Sequence, residues 1–176
     1  MPLACKAAGA IREGVAVRYV SVERRSYGVA LDPEAYLQEL PALADSLPEG
    51  ARRFATDPGH YDFSGQRCVK NLKPERLTSG ETDGIRWLEL YLRHNCWKHE
   101  EDLTIRYSGV QSLTIEPAGQ GLDVAQLQDV MLDEVLPHEH GCQHEIVCLS
   151  GRLVVTGQDL EATWRYADCP EREPSQ

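Results

Sequence analysis

The amino-acid sequence predicts an α+β fold in which helices come early in the chain and antiparallel strands come late. Two short helices are expected near residues 33–56, and short apolar stretches separated by turn signals fill residues 85–166. Helices and strands that occupy separate parts of a chain favour α+β over alternating βαβ units. We therefore expect residues 85–166 to form an antiparallel meander, a sandwich or a partly closed barrel.

The first third of the chain predicts a hairpin followed by the two helices. The β-rich residues 15–31 contain a central turn, which is typical of a hairpin. Asp32-Pro33-Glu34 combines an N-cap acceptor with proline at the first helical position, so a helix is expected to reach about Ala44. A second helix is expected from Pro48 until Asp57-Pro58-Gly59 stops it.

Strand signals dominate the rest of the sequence. A strand is expected around residues 67–72, whereas the polar residues 78–84 are interpreted as a loop. The predicted strands that follow lie near residues 85–92, 103–107, 113–115, 130–136, 144–149, 152–156 and 160–166. We expect one domain over residues 1–167 and a disordered tail over residues 168–176, which are polar and Pro-rich.

Charge and composition exclude several classes of protein. The 176-residue chain carries a formal net charge of −10, whereas binding to nucleic acid or to an anionic membrane requires a basic surface. No apolar stretch is long enough to span a bilayer, and Lys6 and Arg12 interrupt any secretory signal, so a cytoplasmic protein is expected. In that compartment the six cysteines, none in a C-x-x-C motif, are expected to be reduced.

The sequence contains no complete catalytic motif. Gly119-Gln120-Gly121 lacks the third glycine of a dinucleotide-binding loop, and none of the Ser-Gly pairs lies in G-x-S-x-G. Each of the three His-Glu pairs lacks the second histidine that a zinc protease needs four residues after the first. A non-enzymatic protein without a cofactor is therefore the first hypothesis.

A metal site is the alternative hypothesis, and one cluster of residues supports it. Residues 133–145 contain three histidines, four carboxylates and a thiol. On a strand, His138 and His140 would point to the same side, and His144 or Glu145 would supply a third ligand. The competing interpretation is a solvent-exposed hairpin connection, in which polar residues are common.

The spacing His138-x-His140, Glu145 and Gly151 resembles the first metal-binding motif of the cupins. The resemblance implies a metal-binding β-barrel enzyme that uses these two histidines and the glutamate, with His144 as a substitute ligand. The sequence departs from the motif in three ways. The final spacing, from Glu145 to Gly151, is one residue short. Leu132 replaces the glycine expected six residues before the first histidine, and no histidine follows Gly151.

Partner contacts are expected from acidic loops and from an aromatic side chain. Residues 94–102 link two predicted strands and contain Trp97, which would be a binding hot spot if exposed, or would cap the core if folded back. Complementary potentials steer association, so the negative charge favours a basic protein partner. The candidate contacts are Trp97, Glu100, Glu101, Asp102, Asp133, Glu134 and Glu139.

Three passages share a layout with one class of bacterial proteins. They are His60-Tyr61-Asp62-Phe63 with Arg67-Cys68, Trp97-Lys98-His99-Glu100 with residues 103–110, and Leu132-Asp133-Glu134-Val135 with His144-Glu145-Ile146 and Asp159-Leu160. Over residues 50–166 the chain resembles immunity proteins of bacterial toxin systems, which bind and neutralise a cognate toxin. The resemblance implies an inhibitor of a basic toxin and no catalytic residues.

Overall fold

The computed structural model describes residues 14–117 and 123–171, and its strands form three antiparallel sheets. The strands are β1 (Gly14–Ala16), β2 (Ser21–Arg25), β3 (Gly28–Asp32), β4 (Lys73–Thr82), β5 (Ile85–Arg93), β6 (Glu101–Ser108), β7 (Ser112–Glu116), β8 (Val130–His138), β9 (Gly141–Cys148), β10 (Gly151–Gly157) and β11 (Asp159–Tyr166). The helices are α1 (Glu34–Ala44), α2 (Glu49–Ala55) and a 3₁₀ turn (Val124–Leu127). Two helices and mainly antiparallel strands confirm the α+β class.

Two of the sheets have four strands each. The first large sheet has the order β11-β6-β5-β4, the second has the order β7-β10-β9-β8, and β1-β2-β3 form a small third sheet. Every neighbouring pair is antiparallel. None of the helices in the described residues has the length and apolarity needed to cross a membrane.

The predicted hairpin and both predicted helices are present. The backbone N–H of Glu34 donates to the Asp32 carboxylate at 2.9 Å. Pro33 is the N-cap of α1 and Glu34 is its first residue, so the helix begins one residue later than predicted. Pro41 lies inside α1 without ending it. Tyr36, Leu40 and Ala44 recur every four residues and are buried, so one face of α1 packs against the core.

A strand distant in sequence caps helix α2. Pro48, which precedes α2, offers no side-chain acceptor. The Asp159 carboxylate of β11 accepts instead, from the backbone N–H of Gly50 at 3.1 Å and of Ala51 at 2.8 Å. These contacts satisfy two of the unpaired donors at the helix start and fix α2 against β11.

The prediction was wrong between residues 67 and 84. Residues 67–72 form turns, and the predicted loop at 78–84 belongs to the β4–β5 hairpin. Asp83 and Gly84 have φ of 52° and 76°, a two-residue turn whose backbone twist matches the flanking strands. Strand β4 is polar because it pairs only with β5 and forms an edge of the sheet.

Buried residues of both large sheets belong to one hydrophobic cluster. Strand β8, which forms an edge of the second large sheet, is covered by other parts of the chain. Leu72 accepts from the N–H of Val130 at 2.8 Å, and the Tyr36 hydroxyl donates to the Val135 carbonyl at 2.7 Å while accepting from its N–H at 3.1 Å. These contacts pair backbone groups that an open edge would expose.

Two cysteines are paired, so the expectation that all six are reduced was wrong for them. Cys96 and Cys169 form a disulfide across 73 residues of sequence, whereas Cys68, Cys142 and Cys148 are free and buried. The disulfide lies at the start of the predicted tail, and residues 168–171 are described. Residues 1–13 of the predicted domain and 172–176 of the tail lie outside the described residues.

Gly50 allows α2 to approach β11, and we predict that Gly50→Ala destabilises the protein. Inside a helix this change usually adds about 1 kcal/mol of stability. Here the new Cβ would lie 2.0 Å from the Leu160 carbonyl oxygen, so the helix must move away from its cap. Chemical denaturation measures the effect, with Arg52→Ala on the exposed side of α2 as the control. A more stable Gly50→Ala protein would contradict this packing.

Candidate functional site

Asp133 lies at the centre of a buried polar network and is not at the surface. Its carboxylate oxygens face His60 Nε2 at 2.8 Å and His144 Nε2 at 2.9 Å. The Tyr107 hydroxyl lies 2.7 Å from His144 Nδ1, and the Phe54 carbonyl oxygen lies 3.0 Å from His60 Nδ1. The network therefore connects α2 and the loop after it to both large sheets.

The hydrogen-bond partners around each imidazole indicate which ring nitrogens carry hydrogen. Both nitrogens of His60 face acceptors, the Asp133 carboxylate and the Phe54 carbonyl, so both carry hydrogen. His144 Nε2 donates to the Asp133 carboxylate, and His144 Nδ1 shares a hydrogen bond with the Tyr107 hydroxyl, which is able both to donate and to accept. The positive charge of His60 then pairs with the negative charge of Asp133 inside the protein.

The electrostatics of the network agree with this assignment. Burial alone would lower the pKa of His60, but the charge of Asp133 and the hydrogen bonds outweigh it and raise that pKa. Burial alone would raise the pKa of Asp133, but the charge of His60 and the bonds from both imidazoles hold it well below its usual range. The side chains of Asp133, His60 and His144 are about 1% exposed, so the network stabilises the fold and is closed to substrates.

Glu134 also points into the protein. Its carboxylate accepts three backbone hydrogen bonds, from Arg18 at 3.0 Å, Tyr19 at 2.9 Å and Val20 at 3.0 Å. Burial raises the pKa of Glu134, and these bonds partly offset the increase. Glu134 therefore ties the N-terminal segment to β8. The predicted partner contacts Asp133 and Glu134 were wrong, because both side chains are already bonded inside the fold.

The residues of the cupin-like hypothesis do not converge on one point. The rings of His138 and His140 lie 5.4 Å apart at the β8–β9 turn. His144 faces inward toward Asp133, and Glu145 accepts from Arg152 at 2.9 Å. In the part of the chain that the structure describes, the one cluster with metal-ligand spacing comprises His94, Cys96 and Cys169.

That cluster belongs to the loop between β5 and β6, which we call the Trp97 loop (residues 94–100). Asp102 holds the start of the loop, accepting from the His94 backbone N–H at 2.8 Å and from His94 Nδ1 at 2.6 Å. The Tyr91 hydroxyl donates to the other oxygen of Asp102. Burial would raise the pKa of Asp102, but the bonds from Tyr91 and His94 outweigh it and lower that pKa.

The other end of the Trp97 loop is anchored to residues 68–70. His99 Nε2 lies 2.9 Å from the Cys68 carbonyl oxygen, and His99 Nδ1 accepts from the Asn95 N–H at 3.2 Å. The Lys98 ammonium donates to the Lys70 carbonyl at 3.1 Å. Burial lowers the pKa of both His99 and Lys98. These bonds fix the loop backbone on both sides of Trp97.

The anchored loop presents its tryptophan to solvent. Trp97 is 73% exposed, which excludes the alternative that it caps the core. Tyr166, at the end of β11, is 72% exposed and pairs in register with Glu101. The Ala167 N–H donates to the Glu100 carbonyl at 3.2 Å, so both aromatic side chains lie at the same end of the first large sheet.

The remaining candidate contacts fall into three groups. Glu100 is exposed beside Trp97, as a surface contact requires. Glu101 is partly exposed and forms a two-bond ion pair with Arg67, at 2.6 and 2.9 Å, and Asp102 is buried beneath the loop. The prediction was wrong for Asp102, because its carboxylate holds the loop from inside.

Glu139 is exposed but lies far from the Trp97 loop. Its neighbour Gly141 packs against the backbone of Gln158, whose N–H donates to the Ser108 carbonyl at the end of β6. The Trp97 loop precedes Glu101 at the other end of β6. An eight-residue strand spans about 25 Å, so Glu139 belongs to a different surface.

Comparisons with known proteins give no relative. No protein-family model matches the chain, and neither the curated proteins nor the solved structures yielded a match. The resemblances to immunity proteins and to cupins therefore gain no support from relatives. The geometry of the Trp97 loop and of the residues beneath it carries the functional interpretation.

We predict that Asp133→Asn destabilises the protein by about 3–5 kcal/mol, because it leaves His60 charged or unsatisfied in the interior. The lowered pKa of Asp133 contributes stability above about pH 4 that is lost as the pH falls. The raised pKa of His60 contributes stability that is complete below about pH 6.5 and is lost at higher pH. The difference between wild type and variant should therefore be largest between about pH 4 and 6.5.

Denaturant unfolding at pH 5, 7 and 9 measures this difference. Asp168→Asn, at an exposed position, is the control for loss of a carboxylate and should have little effect at any pH. A wild-type to Asp133→Asn difference that is small, or equal at all three pH values, would show that the buried network does not carry the charges assigned to it.

Proposed function

We propose that this domain binds a basic protein partner through a surface that we call the Trp97 face, comprising Trp97, Glu100, Tyr166 and Asp168. The observation that carries the proposal is the 73% exposure of Trp97 on a loop held at both ends by buried hydrogen bonds. Tryptophan and tyrosine are enriched among the residues that dominate binding energy in protein interfaces.

Rigidity of the loop supports the proposal. A mobile loop would lose conformational entropy on binding, at about 0.5–1.5 kcal/mol for each side chain that becomes ordered. The bonds from Asp102, Cys68 and Lys70 fix the loop backbone in the free protein. The sheet beneath it is also fixed if, as we propose, the two large sheets face each other as a sandwich joined by Tyr107 and His144.

Charge supports a basic partner. The chain has a formal net charge of −10, and Glu100 and Asp168 are exposed on the two segments that the Cys96–Cys169 disulfide joins. Long-range attraction by such a surface accelerates association with a positive protein and weakens as salt screens it. Binding to nucleic acid is disfavoured by the same charge.

The narrower form of the proposal is an immunity-type inhibitor of a basic toxin, acting in the cytoplasm. In this form the Trp97 face would cover the active site of the toxin, and no catalysis by this chain would be involved. The layout of residues 50–166 motivates the narrower form, and the basic character of many enzymes that attack nucleic acids fits it.

We predict that Trp97→Ala weakens partner binding by at least about 30-fold, equivalent to about 2 kcal/mol for a hot-spot residue. Wild-type protein, Trp97→Ala and Tyr27→Ala would be used to capture partners from extracts of the native host, with quantitative mass spectrometry. Tyr27 is 88% exposed in the β2–β3 turn and controls for loss of an exposed aromatic ring. Calorimetry with the purified partner then gives the affinities.

The expected partner is a basic protein retained by wild type and by Tyr27→Ala, and lost with Trp97→Ala. If no basic protein distinguishes wild type from Trp97→Ala, the Trp97 face is not the binding surface. A partner that binds wild type, Trp97→Ala and Tyr27→Ala equally well would lead to the same conclusion.

We also predict that charge reversal at the Trp97 face slows association. The double variant Glu100→Lys, Asp168→Lys should reduce the association rate by about tenfold or more at low salt, with a smaller effect at high salt. Glu139→Lys with Asp123→Lys applies the same charge change at exposed acids outside the Trp97 face. Stopped-flow or surface-based kinetics measure the rates. Equal effects of the two double variants would indicate that overall charge, and not this face, steers the partner.

A further inference from the structure

We propose that His94, Cys96 and Cys169 form a zinc-binding site that becomes available when the Cys96–Cys169 disulfide is reduced. This site is independent of the proposed partner binding. One nitrogen and two sulfur atoms meet where the Trp97 loop contacts the C-terminal segment. Imidazole nitrogen and cysteine thiolate are the ligands that zinc prefers in proteins.

The distances suit a tetrahedral metal. The ligand atoms of the three residues all lie within 4.8 Å of one another, and His94 Nε2 lies 3.7 Å from Cys96 Sγ. With Zn–S near about 2.3 Å and Zn–N near about 2.0 Å, neighbouring ligand atoms of a tetrahedron are about 3.5–3.8 Å apart. The Cys96 and Cys169 sulfurs need to separate only to that distance after reduction.

Asp102 prepares His94 to act as a ligand. The buried carboxylate accepts from His94 Nδ1 at 2.6 Å, which fixes the orientation of the ring and leaves Nε2 facing the sulfurs. Metal-bound histidines in proteins usually donate their second nitrogen to a carboxylate or a carbonyl in this way. His94 is 2% exposed, so its position is set before any metal binds. A disulfide that only joins two segments requires no oriented imidazole beside it.

The two cysteines are accessible, whereas the free thiols are not. Cys96 and Cys169 are half-buried, and Cys68, Cys142 and Cys148 are buried elsewhere in the fold. Burial raises the pKa of Cys142 and of Cys148 to about 12, so neither forms the thiolate that zinc requires at neutral pH. A reductant and a metal ion therefore reach one cysteine pair selectively.

The chemistry is a two-electron exchange followed by metal binding. A dithiol reductant transfers two electrons and two protons, so the Cys96–Cys169 S–S bond breaks, two thiols form and the reductant becomes a disulfide. Zn²⁺ then displaces the two thiol protons and forms bonds to both sulfurs and to His94 Nε2. Water completes the tetrahedron at the fourth position.

The disulfide form and the zinc form have the same effect on the structure. Either the disulfide or zinc joins the C-terminal segment to the Trp97 loop, so the link persists in an oxidising compartment and in a reducing one. The expected cytoplasmic location, where thiols are kept reduced, favours the zinc form. Only the reduced protein without metal would release Cys169 from the loop.

The test measures zinc binding to the full chain before and after reduction with a phosphine under anaerobic conditions. Competition with a chromophoric chelator should give one equivalent of Zn²⁺ bound by the reduced protein and none bound by the oxidised protein. Replacement of Zn²⁺ by Co²⁺ should give thiolate-to-cobalt charge-transfer bands and the visible bands of tetrahedral cobalt. Cys169→Ser and His94→Gln should each abolish stoichiometric binding or weaken it at least tenfold.

Matched variants separate this site from other residues. Cys142→Ala removes a thiol elsewhere and His138→Gln removes a surface histidine, and both should bind like wild type. Asp102→Asn should weaken binding by about 10–100-fold without changing the stoichiometry. Circular dichroism checks that each variant is folded. If a variant is unfolded, the Co²⁺ spectrum of the reduced wild-type protein still tests the proposal.

Two results would overturn the proposal. In the first, the reduced wild-type protein binds no Zn²⁺ and gives no tetrahedral Co²⁺ spectrum. In the second, folded Cys169→Ser or His94→Gln binds Zn²⁺ as tightly as wild type does. Neither result bears on partner binding by the Trp97 face, which is measured separately.

Discussion

The fold depends on the buried carboxylate of Asp133, which is held between two imidazoles. A buried charge is costly unless it is paired and hydrogen-bonded. Asp133 meets this requirement through His60 and His144, which belong to different parts of the chain. Because the two histidines are bonded in turn to Phe54 and to Tyr107, satisfying one charge places α2 and both large sheets together.

The neighbouring residue on the same strand makes a second connection. Glu134 binds the backbone N–H groups of Arg18, Tyr19 and Val20, so β8 also holds the segment that leads into the small sheet. Two consecutive acids on an edge strand thus organise most of the chain around β8. Domains of this size are stable by only about 5–15 kcal/mol, so contacts of this kind are a large part of the total.

The sequence predicts the elements of this fold better than its site, because local signals set the elements. Asp32 and Pro33 mark the start of α1, and the β4–β5 hairpin could have been found from Asp83-Gly84, a strong turn signal within polar residues. The burial of Asp133 depends on His60, which is 73 residues away. An acid inside the apolar stretch of residues 130–136 is a local hint of burial, but its partners lie outside any local pattern.

The same limit applies to the loop that carries the proposed functions. Residues 94–102 were recognisable as polar and aromatic, and Trp97 is exposed as a partner contact requires. The role of Asp102 beneath the loop depends on contacts with His94 and Tyr91, and Cys169 reaches Cys96 across 73 residues. Contacts between residues so far apart in the sequence are seen only in the folded structure.

The buried histidines therefore have two different roles. The histidines of the interior, His60 and His144, are sealed and bonded at both nitrogens, so they stabilise the protein. His94 at the Trp97 loop has one nitrogen bonded to Asp102 and the other facing the sulfurs of a half-buried disulfide. The first arrangement connects the two large sheets, and the second is the basis of the proposed zinc site.

The protonation of the buried His60 is the most direct test of this account. Nitrogen NMR at pH 6 distinguishes a doubly protonated imidazole from either neutral tautomer. We expect His60 to be doubly protonated, because both of its ring nitrogens face acceptors. A neutral His60 would contradict the claim that a paired Asp133 charge holds the fold together.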